Sequence, residues 1–254
     1  MSAAPISIQL YTLREAAAQD FAAVIDRLGR IGYVGVEPAG FHDLSPREFR
    51  RRVEDAGMQV SGAHVPLPLG EQANELLDTQ EELGNRDLVV AFYPPGRFED
   101  AGSVQKTADE LNRANETVRA RGMTLGYHNH WWEFANQIDG ESAHARLFAL
   151  LDPTVFAEID TYWAKVGGAD PVAVIDALGA RARMLHVKDG PADDEKAPMT
   201  AVGEGVMDVP AITGASADVE WHVVELDRCA SDMFEAVERS YAYLVGSGLS
   251  RGRA

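Results

Sequence analysis

The feature that most constrains this chain is an alternation. Eight short runs of apolar or β-branched residues recur along it: ISIQLY (6–11), YVGVEP (33–38), QVSGAHV (59–65), DLVVAFY (87–93), TLGYHNH (124–130), FAEIDTY (156–162), RMLHVKD (183–189) and WHVVELD (221–227). Stretches with helical spacing separate them, near 19–31, 46–57, 70–83, 104–121, 141–151, 171–179 and 231–246, with a weaker one near 208–214. Ser45-Pro46 and Asp170-Pro171 have the cap-then-proline form that starts a helix, while Gly57, Gly84 and Gly122 have the form that ends one. The runs read as continuously apolar, as strands covered on both faces do. Eight such units in 254 residues predict a single (β/α)8 TIM barrel over residues 1–254. An open doubly wound sheet would more often carry a glycine-rich phosphate loop after its first strand, where this chain has QLYTLREA.

Charge narrows the partners. With Asp+Glu 40 against Lys+Arg 23, the net charge of −17 repels phosphate backbones and anionic membrane surfaces, and no basic cluster offsets it. The expectation is therefore no nucleic acid and no membrane. No run of 18 apolar residues occurs, and MSAAPISIQLYTLR lacks the basic and apolar regions of a signal peptide. The single cysteine, Cys229, excludes an internal disulfide and suits a reducing compartment, so a cytoplasmic enzyme is expected.

The chemistry collects where the strands end. Inward-facing residues recur every second position, and the C-terminal ends of barrel strands carry the active site. By that rule His128 and His130 share a face of the fifth strand, Glu158 and Asp160 of the sixth, His186 and Lys188 of the seventh, and Glu225 and Asp227 of the eighth. Gln9 and Tyr11 close the first strand, Glu37 the second and His64 the third. Each alone has an ordinary structural use: a hydrogen-bonded histidine, a capping aspartate, a buried carboxylate partner. Together they form a mixed nitrogen and oxygen set suited to a divalent cation.

The motifs ISIQLYTLRE, GYHNHWWEF, EIDTYWAKVGGADP, LHVKDG, VGEGVMD and VVELD, in this order, resemble the sugar phosphate isomerase/epimerase family of xylose-isomerase-like barrels. The resemblance covers essentially the whole chain. It implies an enzyme in which one divalent metal ion, Mn²⁺ first and otherwise Co²⁺, Mg²⁺ or Zn²⁺, holds adjacent oxygens of a small carbohydrate. It implies Asp160, His186 and Glu225 as metal ligands. The fourth ligand is expected to be Glu133 in the loop after the fifth strand, since three carboxylates suit a hard cation; the alternative gives that position to a histidine of the fifth strand and a sugar hydroxyl to Glu133. His128 or His130 is expected to be the base, Lys188 to stabilise a developing oxyanion, and Glu225 to share in proton transfer. The reaction implied is isomerisation or epimerisation through an enediolate; the alternative is a lyase or dehydratase that begins with the same proton removal. Association into a homo-oligomer is compatible with such barrels. Trp131, Trp132 and Trp163 are expected as the apolar wall, and residues 190–206, with glycines at 190, 203 and 205, as a mobile lid.

Overall fold

The structure is a computed structural model that describes residues 3–253. Its strands are β1 (Ile6–Gln9), β2 (Gly35–Glu37), β3 (Gln59–Val60), β4 (Ala63–Val65), β5 (Asp87–Val90), β6 (Thr124–His128), β7 (Gln137–Ile138), β8 (Glu141–Ser142), β9 (Phe156–Asp160), β10 (Ala182–Val187) and β11 (Trp221–Val224). Nine of them form one sheet in the order β3-β2-β1-β11-β10-β9-β6-β5-β4, in which every pairing is parallel. The two edges, β3 and β4, are consecutive pieces of one run. A TIM barrel therefore closes through residues 59–65, and its third strand is broken at Ser61-Gly62.

That break is built in. The Ser61 hydroxyl lies 2.6 Å from that of Ser7 and donates to the Val36 carbonyl, which also accepts from the Ser61 N–H, so backbone and side chain together fix the chain at the break. A Cβ on Gly62 would come within 3.3 Å of Glu37 Oε1 and Met184 Sδ. The missing side chain leaves room for the site carboxylate beside it.

Helices Arg14–Ile31, Pro46–Asp55, Ala73–Leu83, Ala101–Arg119, Ala143–Leu150, Pro171–Leu178, Val209–Gly214 and Met233–Gly246 cover the outer face. Each expected helix is present, and the ends move where a side chain decides them. The fourth starts three residues early because Asp100 accepts from Ser103 N, and the second is fixed by a capping box between Ser45 and Glu48. The first has non-helical dihedrals at Asp20, at the start of the stretch expected to be helical. The fifth strand unit ends two residues early at His128 and is followed by a short helix, Trp132–Ala135, while the helix Thr161–Val166 takes the expected end of the sixth.

Period two gives the barrel interior its vertical order. Val89, Phe156, Met184, Trp221 and Val223 form a buried apolar plug toward the N-terminal end. Arg183 closes that end, bonded to Asp87 and Glu220 and stacked over Phe156 at 4.6 Å. Two residues further along the same strands, Phe156 gives way to Glu158 and then Asp160, Met184 to His186 and Lys188, and Val223 to Glu225 and Asp227. The barrel is thus oil below and charge above. Burial of a larger apolar shell between sheet and helices supports this arrangement from outside.

Candidate active site

Register sets the first neighbours. His128 pairs with Glu158 and Asp160 with His186 across adjacent strands, while Gln9 pairs with Glu37 on the opposite wall. Asn129 clamps two of these strand ends: it donates to the Asp160 carbonyl at 3.1 Å and accepts from the Asp160 N–H at 3.0 Å. Asp160 itself splits its carboxylate. Oδ1 caps the Thr161–Val166 helix by accepting from Trp163 N, which turns Oδ2 toward the barrel axis.

His186 stands at the centre. Its Nδ1 is 2.8 Å from Glu225, and its Nε2 is 3.1 Å from Glu37 and 3.2 Å from Glu158. Glu158 also meets His64 Nε2 at 2.6 Å and His128 Nδ1 at 3.0 Å. Lys188, 1% exposed, places its ammonium 2.8 Å from Asp160, 2.7 Å from Glu225 and 2.7 Å from Asp227. Gln9 donates to Glu37 at 2.9 Å.

These contacts sort the charges. Burial alone would lower the basicity of His186, but Glu158, Glu37 and Glu225 outweigh it and hold the pKa well above the usual imidazole value. Burial would likewise raise Glu158 and Glu225; His186 and His64 hold the first well below the carboxylate range, and Lys188 and His186 the second. Glu37 is pushed up to about 7 by burial and the neighbouring Glu158, and Asp160 to about 6 by burial. Burial, joined by nearby imidazoles, drops His128 to about 3. It drops His130 to about 2, with His128 and Lys188 adding to the effect. Both are neutral near pH 7. Because ionised Glu158 only accepts, His128 carries its proton on Nδ1 and presents the Nε2 lone pair, 3.8 Å from Asp160 Oδ2.

Two overlapping quartets have ligand atoms within 4.8 Å of one another: His64, His128, Glu158, His186; and His128, Asp160, His186, Glu225. They share both central imidazoles and use opposite ring nitrogens, so filling one quartet leaves the carboxylates of the other as hydrogen-bond acceptors for the ligating histidines. The donor set fits a divalent cation. Glu37 Oε1, Glu158 Oε1 and Asp160 Oδ2 are buried without a hydrogen-bond donor, although Asp160 Oδ2 lies at ion-pair distance from Lys188.

Of the expected ligands, Asp160, His186 and Glu225 come together, and His128 joins them. Glu133 does not. The short Trp132–Ala135 helix turns its carboxylate back, where Oε1 accepts from the Tyr127 hydroxyl at 2.7 Å and Oε2 from the His130 N–H at 3.0 Å. Burial there pushes it up to about 8. In this structure Glu133 braces the strand end away from the quartet, and His128 stands with Asp160, His186 and Glu225 in its place. Lys188 pairs with three carboxylates and also lines the cavity. Glu37, His64 and Glu158 enter the centre although only their strand-end position marked them in the sequence.

A cavity of about 480 Å³ opens above, walled by Gln9, Tyr11, His64, His128, His130, Trp163, Lys188, Glu225 and Asp227 among others. His130 lines it, and its Nδ1 is buried without a partner. Its ring is stacked on Trp132 at 4.4 Å. Trp163 forms the wall, 5.4 Å from the Lys188 ammonium; Trp131 and Trp132 do not line the cavity. The two ends of the loop expected to be a lid are joined by one side chain. Asp189, fully buried, accepts from Gly190 N and Met207 N on one oxygen and from Gly203 N and Gly205 N on the other. The glycines expected as hinges thus meet at the base of the loop.

Comparison with known proteins places the chain among barrels of this fold. Inosose dehydratase from Geobacillus kaustophilus is 25% identical over 193 residues, 65% of this chain and 61% of that protein. The 2-epi-5-epi-valiolone 7-phosphate 2-epimerase of an Actinoplanes species is 30% identical over 155 residues, 60% of this chain and 55% of that protein. The chain spans about three fifths of the length of the curated relatives it matches. A crystal structure of a sugar phosphate isomerase/epimerase from Parabacteroides distasonis aligns with a TM-score of 0.84 at 26% identity, covering 99% of this chain and 96% of that one. The sequence profile of the xylose isomerase-like TIM barrels matches residues 25–226, and the chain belongs to that family.

Proposed function

We propose that this protein is a divalent-metal-dependent isomerase or epimerase of a small carbohydrate that works by removing a proton from carbon next to a carbonyl. The observation that carries the reading is the convergence of His128, Asp160, His186 and Glu225 beside a cavity that His128, Glu225 and His130 line, with His130 Nδ1 left without a partner. These four residues would hold the ion. When bound, it supplies Lewis-acid stabilisation of negative charge on substrate oxygens. Mn²⁺ is the first choice for this mix of imidazole and carboxylate, with Co²⁺, Mg²⁺ and Zn²⁺ as the other candidates.

The chain's own groups divide the remaining work. His130 offers a ring-nitrogen lone pair at neutral pH. Burial makes it a weak base in the free protein, but negative charge forming on the substrate beside it favours the imidazolium and offsets that cost. Glu225, ionised and at the cavity wall, can accept a proton on the other side in one direction of the reaction, while the imidazolium formed at His130 returns the one it took. Lys188 balances Asp160, Glu225 and Asp227, which keeps three carboxylates close without mutual repulsion. Trp163 gives a sugar ring an apolar wall that excludes water. The negative net charge supports a small uncharged partner and argues against nucleic acid and membrane; a cytoplasmic setting and a homo-oligomer belong to the same proposal. Among the described residues no helix is long and apolar enough to cross a membrane.

A second reading is favoured by one of the relatives, a dehydratase: the same proton is removed and the electron pair expels a β-hydroxyl as water. Product analysis separates the two. Metal-loaded protein is incubated with a panel of ketoses, inososes and keto-glycosides, and products are read by NMR. A stereoisomer or a shifted carbonyl is expected; a product lighter by one water selects the second reading. No conversion of any compound by metal-loaded protein contradicts both.

A further inference from the structure

The cavity above the strand ends has a neighbour. A second cleft of about 460 Å³ shares Pro38, Gly40 and His64 in its walls with the first and runs outward between the loop after β2 and the helix Ala73–Leu83. Its further lining is largely apolar, with Phe41, Leu67, Leu69 and Leu76 all only partly buried. Polar groups line it as well, Gln72, Glu75, Thr79 and Gln80, but no Lys or Arg does, so it lacks the cations that a phosphate needs.

The mouth of the first cavity has the same character. Among the described residues three large hydrophobic side chains are exposed: Tyr11 at 46%, Phe92 at 60% and Val206 at 58%. Two of the three, Tyr11 and Phe92, belong to the wall of this cavity. Phe92 stands edge-on to His130 and Trp132, with ring centroids 5.6 and 5.8 Å away, and Tyr11 is backed by the Arg14 guanidinium at 4.2 Å. Aromatic rings held upright by their neighbours at a cavity rim form a recognition surface.

We propose that the substrate is a keto-sugar bearing an apolar, planar substituent, such as an aryl keto-glycoside, with the sugar over the strand ends and the substituent in the cleft beyond His64. This rests on the reading of the first cavity as a sugar site. It accounts for apolar area at the mouth and beside it that a bare monosaccharide leaves unused, and His64 marks the junction, since it both meets Glu158 and borders the two cavities.

Calorimetry on the full metal-loaded chain tests it with matched phenyl and methyl glycosides of several hexopyranoses. At least one phenyl member is expected to bind about tenfold or more tightly than its methyl partner, the gain from withdrawing one aryl face from water. Leu76→Gln, and independently Leu67→Gln, should bring that ratio close to one with the melting temperature of each variant recorded as a check on folding. Phenyl and methyl members that bind alike in every pair, or a preference that survives both variants, overturn the proposal. Solvent exchange on an unsubstituted keto-sugar reads the reaction separately. Exchange without a phenyl preference removes the substituent cleft alone, whereas a phenyl preference without exchange keeps the cleft and removes the reaction.

Discussion

Single residues decide how the centre is wired. Asp160 serves two masters with two oxygens, capping a helix with one and facing the site with the other, so its helix-capping role and its site role coexist. Glu133 illustrates the opposite case. It sits three residues past His130 in the sequence, within apparent reach of the site, yet both its oxygens are taken by Tyr127 and the His130 backbone. The distinction is measurable by elemental analysis of purified variants. Asp160→Ala and His186→Ala should lose the divalent ion, while Glu133→Gln, which keeps the shape and both hydrogen bonds within reach, should retain it at the wild-type ratio. Loss of the ion in Glu133→Gln with retention in the other two would restore Glu133 as ligand and dismantle the quartet.

At the scale of elements, one carboxylate gathers the ends of the loop after β10, beside backbone bonds such as Thr200 N–H to the Asp189 carbonyl. Asp189→Ala leaves four backbone N–H groups without their acceptor, at a cost of about 3 kcal/mol or more for bonds to a charged group. Cleavage near Lys196 by a lysine-directed protease should accelerate in that variant well before global unfolding; equal cleavage rates would mean that the loop is held by something else. A second element-level test concerns the packing of helix Ala143–Leu150. His144 is stacked between Phe134 at 4.4 Å and Phe148 at 4.7 Å, its Nε2 has no partner, and burial lowers its pKa to about 3. The folded state keeps it neutral while the unfolded chain protonates near 6.5, so its contribution is complete above that pH and is lost as pH falls toward 3. At pH 5 the loss is about 2 kcal/mol. His144→Phe should therefore gain about that much stability relative to wild type between pH 7.5 and pH 5 in urea titrations. A difference that does not change with pH would contradict the assignment.

The eight strand units were legible because each is a short buried run that the same apolar shell requires, and the polar ends were legible because period two cannot place His186 or Asp160 in a plug made of Met184 and Phe156. What the pattern could not supply was local. The break at Ser61-Gly62 is set by side-chain hydrogen bonds across the barrel, the early end of the sixth strand unit by Asp160 capping, and the fate of Glu133 by a helix of four residues too short to have a period. Glu37, His64 and Glu158 ended strands in plain view, but only closure of the barrel brings the second, third and sixth strand units around His186. Asp189 carried no signal beyond its place in HVKDG.

For the whole molecule, the barrel is a device for bringing charges from distant positions to one axis above an apolar plug. Concentrating Glu37, Glu158, Asp160, Glu225 and Asp227 there opposes folding unless cations answer them, and His186 and Lys188 do so in part. A divalent ion in the same place links binding to stability. At a hundred times its dissociation constant it adds about 2.7 kcal/mol, and for a chain of this size the melting temperature should rise by roughly 5–10 °C over chelator-treated protein. An unchanged melting temperature over a full titration would argue that no ion binds the folded state.

The central claim is that these strand ends remove a proton from carbon. Substrate from the panel that turns over is incubated with metal-loaded protein in D₂O, and deuterium at the carbon beside the carbonyl is followed by NMR and mass spectrometry. Wild type is predicted to introduce deuterium there, with the rate reduced about 10²–10⁴-fold in His130→Gln, the usual cost of removing a positioned base. Turnover that leaves the product free of deuterium, at an unchanged rate in His130→Gln, would mean that the hydrogen moves within the substrate and would contradict the account.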